Sequence, residues 1–260
     1  MLDDVRRGAR APGDFLRVTA HAERDVNDLV AEVIGTAILI LLGQGVVQNV
    51  VLRQTKGEGA GWITITWGWG MAVFVGVFVV GRFSGAHLNP AVTLGLTIAG
   101  KFEWAKLPGY VGAQMVGAFV GATIAWFLYR PHFAATTDPN AKLGVFCTGP
   151  AIRSTAENLA TEAVATFVLV FGVLFLAAPE VGLGALDALP VGLLVLAIGL
   201  SLGGTTGYAI NPARDLGPRL AHAVLPIPGK RDGDWGYAWI PVLGPLLGGT
   251  FAALAYRALK

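Results

Sequence analysis

Ser84-Gly-Ala-His-Leu-Asn-Pro-Ala-Val-Thr-Leu-Gly95 and Thr206-Gly-Tyr-Ala-Ile-Asn-Pro-Ala-Arg-Asp-Leu-Gly217 agree at six of twelve positions, Asn-Pro-Ala among them. Asn is a strong N-cap and Pro is favoured at the first helical position, so each copy predicts a helix start. The apolar stretches that follow, 89–99 and 211–224, are too short to cross a bilayer, which takes about 20 residues. Two short helices beginning inside a membrane would aim their free N–H groups and positive dipole ends at one midplane site. The repeat implies a pore.

Composition points the same way. Of 260 residues 54% are hydrophobic and only 14% charged, and the mean hydropathy is +0.60. A soluble domain rarely needs so much apolar surface. Its 36 glycines and 14 prolines would weaken soluble helices. In a membrane, small residues permit close helix contact, and broken backbone survives beside a wet cavity. The net charge of +2 gives no reason to expect a nucleic-acid partner. Cys147 stands alone, so neither an internal disulfide nor a multi-cysteine metal site is available, and it reads as a packing residue or a loop thiol. His21, His87, His132 and His222 show no metal-ligand spacing, and Gly229-Lys-Arg-Asp-Gly233 lacks the pattern of a phosphate loop. Catalysis, a metal and a cofactor are therefore not expected.

Apolar segments over 29–52, 61–81, 104–129, 157–178, 187–204 and 236–256 predict six spans. Trp62, Trp104, Trp126, Tyr129 and Tyr237 lie near segment ends, as interfacial aromatics do. The expected fold class is an all-α membrane protein of six transmembrane helices plus two re-entrant half-helices. Residues 1–28 are charged and lack a signal-peptide core, so they read as a cytoplasmic tail or, alternatively, a membrane-surface helix. Residues 29–257 form a single channel domain, with halves 29–130 and 157–257 joined by 131–156. Glu32 in Ala31-Glu-Val-Ile-Gly-Thr36 matches Glu162 in Thr161-Glu-Ala-Val-Ala-Thr166. Three spans per half is an odd number, so the halves run in opposite directions as an inverted repeat. With the N-terminus inside, Lys and Arg number ten inside against nine outside, or ten against seven without Arg214 and Arg219. That balance leans toward cytoplasmic N- and C-termini.

These features resemble the aquaporin superfamily from about residue 27 onward, in its inverted repeat, its six spans and its two Asn-Pro-Ala motifs. Asn211-Pro-Ala-Arg-Asp-Leu-Gly-Pro-Arg219 resembles the glycerol-facilitator branch, because water-selective members usually lack the acidic residue found here at Asp215. The resemblance implies a passive channel for glycerol and related small uncharged solutes, with water, that excludes protons and ions. A water-selective pore is the alternative, and an ion-coupled secondary transporter a more distant one. The family also implies a homotetramer with one pore per subunit, surrounded by lipid. The absence of a targeting segment and the compact length suggest the plasma (inner) membrane.

The pore chemistry can be assigned residue by residue. Asn89 and Asn211, with Pro90, Ala91, Pro212 and Ala213, can cap the half-helices while their NH₂ groups donate to a permeant. The loops before them are expected to turn carbonyls into the channel, from Gly85, Ala86 and His87 and from Gly207, Tyr208, Ala209 and Ile210. His87 is either a support or part of the lining. A cation near the bilayer centre costs roughly 2.5–3.5 kcal/mol, so Arg214 needs a partner or a watery cavity, or else snorkels outward. By resemblance the filter comprises Trp69, Gly199, Tyr208 and Arg214. Trp67 is a rival for the first place, but it lies about 200° from Trp69 on a helix, so both cannot face one pore. Trp69 and Tyr208 would offer apolar faces and Arg214 hydrogen bonds, which suits the two edges of a linear polyol. Gly199 replaces the histidine usual in water-selective members and is expected to widen the opening. Glycerol channels often carry Phe where this chain has Tyr208. The family further implies that Glu32 and Glu162 accept hydrogen bonds from the re-entrant loops. Asp215 is expected to hold the outer loop near Arg214 or Arg219. Gly112, Gly117 and Gly121 read as packing positions.

Overall fold

A computed structural model describes residues 27–176, 182 and 184–260. The charged tail over 1–26 and the expected end of the fourth span at 177–178 lie outside the described residues. The helices are α1 (Asp28–Val51), α2 (Gly61–Ser84), α3 (Pro90–Ile98), α4 (Leu107–Ala135), α5 (Pro139–Phe146), α6 (Thr155–Phe175), α7 (Leu189–Leu202), α8 (Pro212–Val224) and α9 (Ile240–Ala258). Among the described residues, five segments are long and apolar enough to cross a membrane: α1, α2, Trp104–Ala135, α6 and Gly184–Leu202. The sixth long helix, α9, is diluted by Gly244, Pro245, Gly248 and Gly249 but packs along α6. At 1.5 Å per residue, α3 and α8 reach roughly 14 and 20 Å, less than a bilayer core.

The two halves are interlocked. In the first, α1 packs on α2 and α4; in the second, α6 packs on α7 and α9. Each half-helix lies chiefly against the last span of the other half, α3 on α9 and α8 on α4. Neither half can therefore bury its short helix without its counterpart. The α1–α4 and α6–α9 contacts depend on missing side chains. A Cβ on Gly117 would stand 2.4 Å from the Val33 carbonyl oxygen, and one on Gly248 2.1 Å from that of Ala163. These backbones touch, which is how membrane helices gain dispersion energy without a hydrophobic drive. Gly112 departs from the packing expectation, because a Cβ there would meet nothing within 4 Å.

Three further details differ from the sequence reading. Helix α4 continues past the expected end at 129 and through Pro131 to Ala135, where Thr136 donates from N and Oγ1 to the His132 carbonyl. A proline late in a helix leaves unpaired a carbonyl four residues earlier. Here that carbonyl belongs to Phe127, a residue 62% exposed. The 131–156 segment also holds α5, begun by Pro139 and capped by Asp138, whose side chain accepts from the Asn140 N–H. Of the expected interfacial aromatics, Trp126 and Tyr237 are buried instead.

Candidate functional site

The half-helices meet N-terminus to N-terminus through their asparagines. Asn89 and Asn211 are in extended conformation, each followed by Pro at the first helical position. The Asn89 Oδ1 accepts from the Ala91 N–H at 2.8 Å; the Asn211 Oδ1 accepts from Ala213 at 3.0 Å and Arg214 at 3.2 Å. Each Nδ2 then reaches across the repeat. That of Asn89 donates to the Ile210 carbonyl and that of Asn211 to the Leu88 carbonyl, both at 2.8 Å. An amide nitrogen carries two hydrogens, so each asparagine retains one N–H beside the cavity that both line. The expected pore carbonyl of Ile210 is thus engaged in this tie, and its counterpart Leu88 was not foreseen. Use of a backbone carbonyl leaves no mark in side-chain identity.

The preceding loops have unusual backbone. Gly85, Ala86 and Leu88 have φ of 77°, 49° and 51°, and Gly207, Tyr208 and Ile210 repeat this with 82°, 38° and 46°. Positive φ strains any residue with a Cβ, and persists only where surroundings over-determine it. Two buried glutamates do so. Glu32 accepts from the N–H groups of His87 at 2.9 Å and Leu88 at 2.8 Å, from Ser84 Oγ at 2.6 Å and from Gln114 Nε2 at 2.8 Å. Glu162 accepts from the N–H groups of Ala209 and Ile210, both at 2.9 Å, and from Thr206 Oγ1 at 2.7 Å. The repeat held a clue to the hydroxyl partners, since Ser84 and Thr206 open the two aligned stretches. His87 Nδ1 lies 3.2 Å from Thr93 Oγ1, and the residue also borders the cavity.

Two cavities adjoin each other. The inner one, about 140 Å³, is bounded by both asparagines, by Gly85, Ala86 and His87, and by Ala209 and Ile210. The outer one, about 220 Å³, is bounded by Trp62, Thr148 and Gly207 among others. Trp69, Tyr208 and Arg214 border both and form the wall between them. Trp69 is 4% exposed and borders both cavities, whereas Trp67 is 49% exposed and borders neither. Arg214 is buried, lies over the Trp69 ring, and its guanidinium has no ion-pair partner among the described residues. The neighbouring carboxylate is occupied elsewhere. Asp215 pairs with Arg219 at 2.9 Å and accepts from Thr148 N and Oγ1, both at 2.7 Å, tying α8 to the end of the middle segment.

Gly199 corrects an expectation. It borders neither cavity, and a Cβ there would lie 2.8 Å from Tyr208 Cζ and 3.0 Å from its Oη. Its bareness makes room for the tyrosine ring rather than widening the bore directly. Trp62, expected at the interface, completes this seat: its Nε1 donates to the Gly199 carbonyl at 3.0 Å and its ring meets Tyr208 edge-on. No cluster of His, Cys, Asp and Glu among the described residues is arranged to hold a metal.

Comparison with known proteins adds to this geometry. The sequence profile of the major intrinsic protein family matches residues 19–256. A probable glycerol uptake facilitator protein from Thermotoga maritima is 59% identical over 230 residues, covering 88% of this chain and 98% of that protein. The glycerol uptake facilitator protein of Bacillus subtilis is 54% identical over 227 residues, covering 87% and 82% respectively. The X-ray structure of the aquaglyceroporin from Plasmodium falciparum superposes with a TM-score of 0.78 at 32% identity, over 88% of this chain and 94% of that one.

Proposed function

The chain belongs to the major intrinsic protein family, and from that premise we propose that it is a passive channel for glycerol and related small uncharged solutes, water among them. The observation that carries this reading is the wall of Trp69, Tyr208 and Arg214 common to two adjoining cavities. A three-carbon polyol has a carbon edge and a hydroxyl edge. The rings suit the first, and the unpaired guanidinium, with its planar fork of donors, suits the second. Further in, the remaining N–H of Asn89 and of Asn211 would take the lone pairs of each passing oxygen. That orientation, with two helix N-termini behind it, opposes cations and breaks a chain of donated protons. The loops from Gly85 and Gly207 would supply acceptors to replace the solute's lost water, with Glu32 and Glu162 holding their backbones in place.

This reading makes the protein a multi-pass component of the plasma membrane, with cytoplasmic termini and a homotetrameric assembly of four separate pores. It assigns no reaction to the chain. Relatives described as glycerol facilitators favour it over a water-selective pore. Stopped-flow light scattering on proteoliposomes tests it, using glycerol, urea and impermeant-osmolyte gradients. Fast glycerol entry that persists after proton and sodium gradients are collapsed is expected. Water flux without polyol flux would sink the assignment, and dependence on an ion gradient would point to a coupled transporter.

A further inference from the structure

We propose that the Pro131 end of α4 carries a binding site for one anionic phospholipid, outside the pore. A wedge of about 470 Å³ opens there between Trp126, Phe127 and Arg130 on one side and Pro226 and Pro228 on the other. Arg130 is exposed and holds its guanidinium carbon 5.3 Å from the centroid of the Trp126 ring. Other arginines of the loops at this end have acidic partners: Arg53 with Glu58, Arg153 with Asp234 and Arg231 with Asp232. Arg130 has none among the described residues. Its charge, at the mouth of an apolar wedge, complements a phosphate. The proline wall contributes no N–H donors, and the Pro228 carbonyl already accepts from Lys142. The guanidinium fork is therefore the natural anion ligand.

The surface below fits the rest of a lipid. Val116, Val120, Ile124 and Phe127 are 54%, 39%, 43% and 62% exposed, at steps of four, four and three residues. Such spacing puts them on one face of α4 as a continuous apolar track. From 116 to 127 the helix rises roughly 16 Å, about the depth of one leaflet of a 30 Å hydrocarbon core. An acyl chain lying along this track would bring its phosphate to the level of Arg130, whose guanidinium rests on the largely buried Trp126 ring.

Native mass spectrometry of the detergent-purified protein, incubated with phosphatidylglycerol or with diacylglycerol of the same chains, tests the site. Retention of phosphatidylglycerol and not diacylglycerol is expected. Arg130→Gln should lower its occupancy at least about five-fold, while Arg82→Gln, a cation at the opposite end of the bilayer, should leave it unchanged. Glycerol permeability of Arg130→Gln should match the parent, showing a folded channel. Equal retention by Arg130→Gln, equal loss in Arg82→Gln, or equal binding of diacylglycerol would overturn the proposal. So would displacement of the lipid by millimolar inorganic phosphate, which would mark a free-anion site. Disulfide-linked dimers of Phe127→Cys would overturn it too, since they would identify the track as a contact between copies of the chain.

Discussion

The guanidinium carbon of Arg214 stands 4.0 Å from the centroid of the Trp69 ring, with the cavities on either side of the pair. A cation against the face of tryptophan is attracted by the ring quadrupole, by about 2 kcal/mol or more when desolvated. That attraction takes the place of an acidic partner, and it leaves the guanidinium N–H groups available to a solute. Arg214→Ala removes both the charge and much of the partition. Five-carbon polyols should then gain permeability relative to glycerol by several-fold, measured by light scattering under matched gradients. An unchanged ratio would show that another constriction sets solute size.

The Tyr208 ring occupies the space a side chain at residue 199 would need. Gly199→Ala forces a Cβ to within 2.8 Å of Tyr208 Cζ, so the ring must move toward the opening. Glycerol flux should fall several-fold and water flux less. Tyr208→Ala in the same chain should recover glycerol passage, because the displaced ring is gone. Additive losses in the double variant would argue that Gly199 and Tyr208 do not share a seat.

These two positions show how far the sequence carried. The fold was legible because two physical signals are strong: spans need about 20 apolar residues, and the duplicated turn fixes where the short helices begin. Trp69 came from the family resemblance, and it borders both cavities. The tie through the Leu88 and Ile210 carbonyls was not, because backbone acceptors are indifferent to residue type. Trp62 resembled an interfacial tryptophan, since nothing in its neighbours reports a partner 137 positions away. Helix α5 was missed in a short polar segment whose start signal, Asp138-Pro139, also suits a turn.

Glu162 holds the second re-entrant loop by two backbone N–H groups and one hydroxyl. Glu162→Gln keeps the shape but replaces one acceptor oxygen with an NH₂ that faces a donor. A buried group left unsatisfied costs about 1–3 kcal/mol. The loop it releases has φ of 38° at Tyr208 and 46° at Ile210, conformations that need support. Thermal unfolding in detergent should begin several degrees lower, and glycerol flux per folded channel should drop. A proton-relay role would instead predict altered proton flux with unchanged thermal stability.

The buried Asp215–Arg219 pair joins α8 to Thr148. Removing one member of a buried ion pair strands the other charge and typically costs about 3–5 kcal/mol. Asp215→Asn should therefore destabilise the protein strongly. Asp215→Asn with Arg219→Met should recover part of the loss, because no bare charge remains. Thermal stability followed by intrinsic tryptophan fluorescence distinguishes the cases. A double variant no better than Asp215→Asn alone would show that the hydrogen bonds to Thr148 matter more than the charges.

Gly112 and Gly117 lie on the same helix and should respond oppositely to one added methyl group. At Gly117 the new Cβ would sit 2.4 Å from the Val33 carbonyl oxygen and 2.9 Å from Thr36 Cβ, so α1 and α4 must separate. Overpacking of this kind typically costs about 1–3 kcal/mol. The shift would also reach Glu32, which α1 carries one residue before Val33 and which Gln114 of α4 contacts at 2.8 Å. Gly117→Ala should thus lower both stability and glycerol flux. At Gly112 no atom lies within 4 Å of the added carbon. Alanine there gains intrinsic helix propensity of about 1 kcal/mol in aqueous hosts, so Gly112→Ala should be neutral or stabilising. Comparing thermal midpoints of the two variants in the same detergent checks the contrast. Loss of stability in Gly112→Ala would mean that a neighbouring subunit packs closely on that face of α4.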